Sequence, residues 1–217
     1  MKNKSNPLVD FLLKIALVVH SYLYKGISFL AIKKEGGKHP KHRILNYHQF
    51  FLENILPQSK VLDVGCSSGD LTFDLAKKAM KVAGIDLNKK YLEKAKQKNN
   101  YHNIEYILGD AVSYNFNEKF DFAVLSNVLE HIENRVDFLK KINLITDKIL
   151  IRVPLLTRDW LSVYKKEMSV DYKLDKTHFI EYTKESFIEE TKKAGLKIEK
   201  IEINFGEIYA IANKTNT

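Results

Sequence analysis

From Ser59 onward the chain alternates short apolar runs with longer amphipathic segments. Lys60 to Gly65 is a β-rich run ending in glycine, followed by Leu71 to Met80 with Leu71, Leu75 and Ala79 at helical spacing. Lys81 to Asp86 reads as a second strand, Asn88 to Asn100 as a lysine-rich helix that Asn88 can cap, and Ile104 to Leu108 as a third strand. Phe120 to Leu125 is an almost continuous apolar run, the pattern of a strand covered on both faces. Glu130 to Leu144 carries a helical stripe of Ile132, Val136, Leu139 and Ile142, and Lys148 to Val153 is a fifth strand stopped by Pro154. Such alternation predicts an α/β protein: a doubly wound, mainly parallel sheet with helices on both faces.

The last third breaks the rhythm. Leu155 to Asp175 is polar with scattered large residues (Trp160, Tyr164, Met168, Tyr172) and reads as an insertion. Thr183 caps a further helix that Gly195 ends. Lys197 to Asn204 and Glu207 to Asn213 then alternate across a Phe-Gly turn, predicting an antiparallel hairpin that closes a seven-stranded sheet. The expected organisation is a helical arm or lid over residues 1–44 and a main domain over 45–217, with 155–178 as a cap on the substrate side.

Composition changes this picture mainly at the N-terminus. With 45% hydrophobic and 29% charged residues, the 217-residue chain can bury a real core, and its single cysteine, Cys66, excludes a disulfide framework or a cysteine-based zinc site within it. The net charge of +8 is concentrated: residues 1–43 hold nine Lys or Arg against Asp10 and Glu35, and the remainder is nearly neutral. The apolar stretch from Leu8 to Ile32 is interrupted by charges, and its longest part without Lys, Arg, Asp or Glu, Ile15 to Tyr24, is ten residues, so a spanning helix and a signal peptide are both set aside. Two readings remain for the arm. One is a pair of helices covering part of the main domain. The other is an interfacial helix presenting Phe11, Leu12, Ile15, Val18, Val19 and Tyr22 to lipid and its lysines to anionic head groups. Nucleic acid is disfavoured, because the lysines are separated by apolar runs. The expected location is cytoplasmic, with peripheral contact at the inner face of a membrane under the second reading.

The first strand leads into Asp63-Val-Gly65-Cys66-Ser67-Ser68-Gly69-Asp70. Glycines there permit positive φ and close approach of a ligand to the backbone. A dinucleotide site would want a second glycine where Ser67 stands, and the carboxylates of Asp63 and Asp70 would repel a pyrophosphate. Asp86 ends the second strand, 21 residues after Gly65, where an acid can accept hydrogen bonds from both ribose hydroxyls, and Asp110 follows the third strand. Three carboxylates beside a glycine turn suit an adenosine that carries a positive group and no phosphates.

This set resembles the class I S-adenosylmethionine-dependent methyltransferases, over roughly residues 45–212; their acidic, glycine-rich signature is matched by residues 63–69 except at Ser67. The resemblance implies a Rossmann-like methyltransferase fold and S-adenosylmethionine as cofactor, with S-adenosylhomocysteine as product. It also implies that Asp63, Gly65 and Cys66 lie against the methionine part, Asp86 holds the ribose, Leu87 and Ala111 sandwich adenine, and Asp110 bonds its amine. Gly69, Ser126 and Tyr47 complete the implied contact set, Tyr47 or His48 as part of a lid. The segment Leu125 to Ile132 is similar to the family's small-molecule branch (type 11 and type 23 domains), some relatives of which hold a divalent metal with E-x-x-E-H. Here Asn127 replaces the first Glu, Glu130 fits a helix N-terminus, and no metal is expected. Lys176 to Thr183 resembles the entry to the family's penultimate helix, which makes His178, near the cleft mouth, a candidate base for a substrate hydroxyl, with His131 as a second catalytic candidate. The expected reaction is methyl transfer to a small molecule, most directly an oxygen of a sugar or lipid-linked metabolite. RNA or protein methylation and a catalytically inactive partner subunit are the alternatives.

Overall fold

The computed structural model describes residues 6–215; residues 1–5, with Lys2 and Lys4 of the basic arm, and 216–217 lie outside it. Seven strands form one sheet in the order β3-β2-β1-β4-β5-β7-β6. They are β1 (Lys60–Val64), β2 (Lys81–Asp86), β3 (Ile104–Leu108), β4 (Phe120–Ser126), β5 (Thr146–Pro154), β6 (Leu196–Asn204) and β7 (Glu207–Lys214). The first five pair in parallel, whereas β7 runs antiparallel to both β5 and β6. Chain direction across the sheet reverses between β1 and β4. Loops leaving those two strands diverge there, opening a crevice at their C-terminal ends.

The two-residue period of each strand sorts its side chains onto two cores. Val61, Val82, Phe122, Val124 and Leu150 pack on one face with Phe51 of α3 (His48–Asn54) and with Leu71 and Leu75 of α4 (Asp70–Ala76). Leu62, Val64, Ala83, Ile85, Ala123 and Leu125 pack on the other with Phe138, Leu139 and Ile142 of α6 (Arg135–Ile145) and Phe187 of α8 (Lys184–Lys193). Truncating one of these fully buried leucines to alanine costs about 2–5 kcal/mol. α5 (Lys89–Lys98) is capped as its sequence suggests, Asn88 accepting from the amides of Lys90 and Tyr91. Thr183 closes a capping box with Ser186 at the start of α8, and Gly195 follows that helix with φ +74°.

Several expectations are corrected. The helix read from Glu130 begins at Arg135; Leu129–His131 is a separate 3₁₀ turn, so Glu130 has no α-helix dipole to face. Pro154 is the last residue of β5 rather than its stop, which is tolerated because a strand end requires no further amide donor. The 155–175 insertion contains a helix, α7 (Trp160–Glu167), capped by Asp159. Among the described residues the long helix of the arm does not lie over the body as the first reading expects. The arm's main element is one continuous helix, α1 (Pro7–Lys34), opened by an Asn6 cap and by proline in the first turn, and only Leu17 of it is buried. The short α2 (Lys41–Leu45) follows it. Counting only uncharged residues understated α1, because isolated lysines do not end a helix: by length and composition it can cross a membrane.

Candidate active site

At the crevice, Gly65 (φ +69°), Ser67 (φ +48°) and Gly69 (φ +77°) curl the chain out of β1 and into α4. The amides of Gly65 and Cys66 both donate to the Ile85 carbonyl, at 2.8 and 3.1 Å, fixing the loop to β2. A Cβ on Gly65 would lie 2.9 Å from Val128 Cγ2, and one on Gly69 would lie 2.3 Å from the Tyr106 hydroxyl. These backbone shapes and spaces require glycine.

Asp63 lies on the α3/α4 face of β1, 2% exposed, with Thr72 of α4 donating to its carboxylate at 2.6 Å. Burial pushes its pKa up to about 7, a rise opposed by the Thr72 bond and supported by the nearby Asp86 charge. A carboxylate in that state lacks a cationic partner. Asp86 accepts from the Ser67 amide at 2.8 Å and from the Asn88 amide at 2.7 Å, so it ties the glycine loop to the β2–α5 turn and retains lone pairs for a ligand. Asp110 accepts from the Val112 amide at 2.9 Å and is exposed at the next strand end; Leu87 is 72% exposed and Ala111 is buried. The fold thus brings Asp63, Gly65, Cys66, Gly69, Asp86, Leu87, Asp110 and Ala111 to the C-terminal edge of β1, β2 and β3. Burial, with the Asp63 and Asp86 charges, pushes the Cys66 thiol well above its usual range, leaving a protonated spacer rather than a nucleophile.

Tyr47 sits elsewhere on that edge. Its ring lies under the Arg152 guanidinium, 3.8 Å from cation to centroid, and its hydroxyl is 2.8 Å from His42 Nδ1. Arg152 also donates to Ser126 Oγ at 3.3 Å and forms a buried two-bond pair with Glu207. His48 turns away to Asp74, at 2.7 Å. Arg152 and Glu207 were legible only as charges inside apolar strands, a signal of pairing that no motif carries.

Beyond β4 the fold assembles a second constellation. Glu130, fully buried, has both carboxylate oxygens without a hydrogen-bond partner, and burial pushes its pKa up to about 7. His131 and His178 meet edge to face with centroids 4.6 Å apart, and one ligand atom from each of Glu130, His131 and His178 lies within 4.8 Å of the others. His178 is 6% exposed rather than at the cleft mouth, because its loop is drawn inward: the Phe179 amide donates to the Glu130 carbonyl at 2.7 Å, and Glu181 lies 3.0 Å from His178 Nδ1. With Glu181 accepting from Nδ1–H, the Nε2 of His178 keeps its lone pair. The Thr177 hydroxyl donates to Asp175 and therefore accepts from His131 Nδ1–H, both at 2.8 Å, which frees His131 Nε2 as well. With Glu130 ionised, as it is above about pH 7, all three facing groups are hydrogen-bond acceptors. They lack a donor or a cation. The expectation of no metal rested on finding only the adjacent Glu130 and His131; His178, 47 residues further on, supplies the third ligand atom that sequence adjacency could not. Glu181 and Thr177, which orient the two imidazoles, went unrecognised because their roles exist only once the 175–181 loop folds back.

A doubly wound sheet with a glycine turn and strand-end carboxylates at its switch point is an architecture suited to a nucleoside ligand. Residues 61–147 match the family model described as methyltransferase domain. A demethylmenaquinone methyltransferase of Staphylococcus epidermidis is 29% identical over 108 residues, 48% of this chain and 45% of that protein. A ubiquinone biosynthesis O-methyltransferase of Pelagibacter ubique is 34% identical over 88 residues, 40% of this chain and 36% of that protein. The match spans less than half the length of these curated relatives. Among solved structures, a magnesium protoporphyrin IX methyltransferase of Synechocystis with bound S-adenosylhomocysteine shares the fold, with a TM-score of 0.60 at 16% identity over 99% of this chain and 90% of that one. Residues 61–147 thus resemble a methyltransferase domain, and the chain shares its fold with methyltransferases of known structure.

Proposed function

We propose that the chain transfers the methyl group of S-adenosylmethionine to an oxygen of a small-molecule acceptor. The observation that carries this reading is the pair of unsatisfied sites along one sheet edge: a carboxylate cradle short of a cation at Asp63, and an all-acceptor cluster short of a donor at Glu130, His131 and His178. Asp63 with the backbone at Gly65 and Cys66 would hold the cationic methionine part, and Asp86 the ribose. When bound, the cofactor supplies an electrophilic methyl on a sulfonium, a leaving group that needs no protonation. The chain's remaining task is alignment and removal of one proton. An acceptor hydroxyl is the donor the second cluster lacks, and His178 Nε2, steadied through Glu181, takes its proton. The quinone-pathway names of two relatives favour a lipid-linked acceptor over a sugar.

A divalent cation fits the same three ligands, which favours a second reading of the cluster alone. Glu130, His131 and His178 would hold it, and it would acidify the acceptor hydroxyl. Turnover that persists in EDTA assigns the proton to His178; turnover lost in EDTA and restored by magnesium or manganese assigns the cation. Calorimetry is expected to show S-adenosylhomocysteine binding, weakened about 10- to 100-fold in Asp86→Ala, the loss of charge-assisted hydrogen bonds. A folded protein that binds neither form of the cofactor would end this reading.

A further inference from the structure

We propose that α1 lies flat on an anionic bilayer, held in the plane of the membrane by its contact with α7. The part of α1 facing the body is narrow. Asp10, Leu13, Leu17, Ser21, Ser28 and Ala31 are covered or partly covered along one stripe, at spacings of three, four and seven, with Ile32 beside its end. The polar contact lies at mid-helix: Lys165 of α7 donates to Ser21 Oγ at 2.9 Å and stands 3.2 Å from His20 Nδ1. Opposite that stripe, Leu8, Leu12, Ile15, Val19, Tyr22 and Leu30 are each 46–72% exposed. Phe11, Val18 and Phe29 flank them on one side, and Leu23 and Ile27 on the other, all exposed. The apolar surface therefore wraps about half the circumference of a convex rod, over about 33 Å from Leu8 to Leu30.

Three observations choose lipid as the occupant. A protein partner touches one side of a convex helix, whereas a fluid acyl layer covers a half-cylinder. Lys14 and Lys25 are eleven residues apart, three turns, and so share one flank at the level of head groups, with Lys33 and Lys34 beyond; no acidic residue lies between Asp10 and Glu35. Trp160, at the start of the α7 helix to which α1 is pinned, is 75% exposed, an uncovered aromatic of the type enriched at membrane interfaces. The same contact decides between lying on the membrane and crossing it. By length and hydropathy α1 can cross. A crossing helix would carry Leu17 and Ser21 into hydrocarbon, and here both are docked against the polar body at mid-helix.

This inference stands apart from methyl transfer and is tested apart from it. The full-length protein is floated with vesicles of phosphatidylcholine plus phosphatidylglycerol, and with phosphatidylcholine alone. Flotation is expected with the anionic vesicles at low salt, fading as salt rises, and partitioning should fall roughly fivefold for each of Lys14→Gln and Lys25→Gln. The double variant Ile15→Glu/Val19→Glu, at two exposed positions, should stay with the unbound fraction while keeping the same cooperative thermal unfolding. An intact protein that ignores anionic vesicles at low salt overturns the proposal. So does a solution dimer that this double variant converts to monomer, which would make a second copy the occupant. Vesicle-bound protein that survives alkaline carbonate extraction would show a spanning helix and overturn the in-plane geometry. S-adenosylhomocysteine binding, measured separately without vesicles, reports on the methyltransferase reading alone.

Discussion

At the scale of single residues, Asp63 shows how a functional carboxylate is kept ready. Two of its neighbours on β1, Leu62 and Val64, are apolar and buried, and only the Thr72 hydroxyl offsets part of the desolvation. Replacing it with asparagine keeps the Thr72 bond and removes a charge that the empty site cannot balance. Asp63→Asn is therefore expected to raise apo stability at about pH 8 by on the order of 1–2 kcal/mol, and to weaken cofactor binding at least about tenfold. Thermal unfolding and calorimetry on the same preparation check both halves. A destabilised variant would mean that the carboxylate serves the fold. His178 makes a related point, since its buried partner Glu181 is itself held by Arg158 at 2.7 Å and by the Leu174 amide at 2.7 Å. The imidazole is oriented by a chain of charges rooted in the insertion.

At the scale of elements, β5 and β7 are joined across their ladder by the buried Arg152–Glu207 pair, which also carries Tyr47 on its outer face. Breaking such a pair leaves an uncompensated buried charge, whereas removing both partners does not. Arg152→Met is expected to destabilise by about 3–5 kcal/mol, and Arg152→Met/Glu207→Leu by clearly less, in denaturant unfolding. Equal losses in the single and double variants would show that the arginine acts through packing on Tyr47 rather than through charge.

At the scale of the whole molecule, Asp63 and Glu130 act together on stability. Both have folded pKa values of about 7, above those of the unfolded chain. Between about pH 4 and pH 7 the native state therefore holds protons that the unfolded chain has released, and this contribution falls as pH rises through the window. Carboxylates with lowered values, such as Glu118 beside Lys81 and Lys60, contribute in the opposite direction at lower pH. The difference isolates the two acids: the stability of Asp63→Asn/Glu130→Gln relative to the unaltered protein is expected to grow from about pH 5 to about pH 8. A difference that stays constant over that range would mean that neither acid retains its proton in the fold.

The sequence by itself determined the strands, their apolar alternation and the glycine turn that ends β1. These follow from near neighbours: a two-residue period sorts side chains by face, and a turn with positive φ selects small residues whatever surrounds it. It also placed Asp63 late in the first strand and Asp86 and Asp110 at strand ends, and in a parallel sheet those ends share one edge by topology alone. Only the tertiary structure decided what depends on residues far apart in the chain. It joined His178 to Glu130 and His131, paired Arg152 with Glu207, and moved Glu130 from an expected helix terminus into a buried turn with no partner. It also fixed α1 by its middle, at Leu17 and Ser21, because a contact between residues 21 and 165 is written in neither segment. Local rules set the conformation of each segment; packing, which pairs groups without regard to their distance along the chain, set which of them meet.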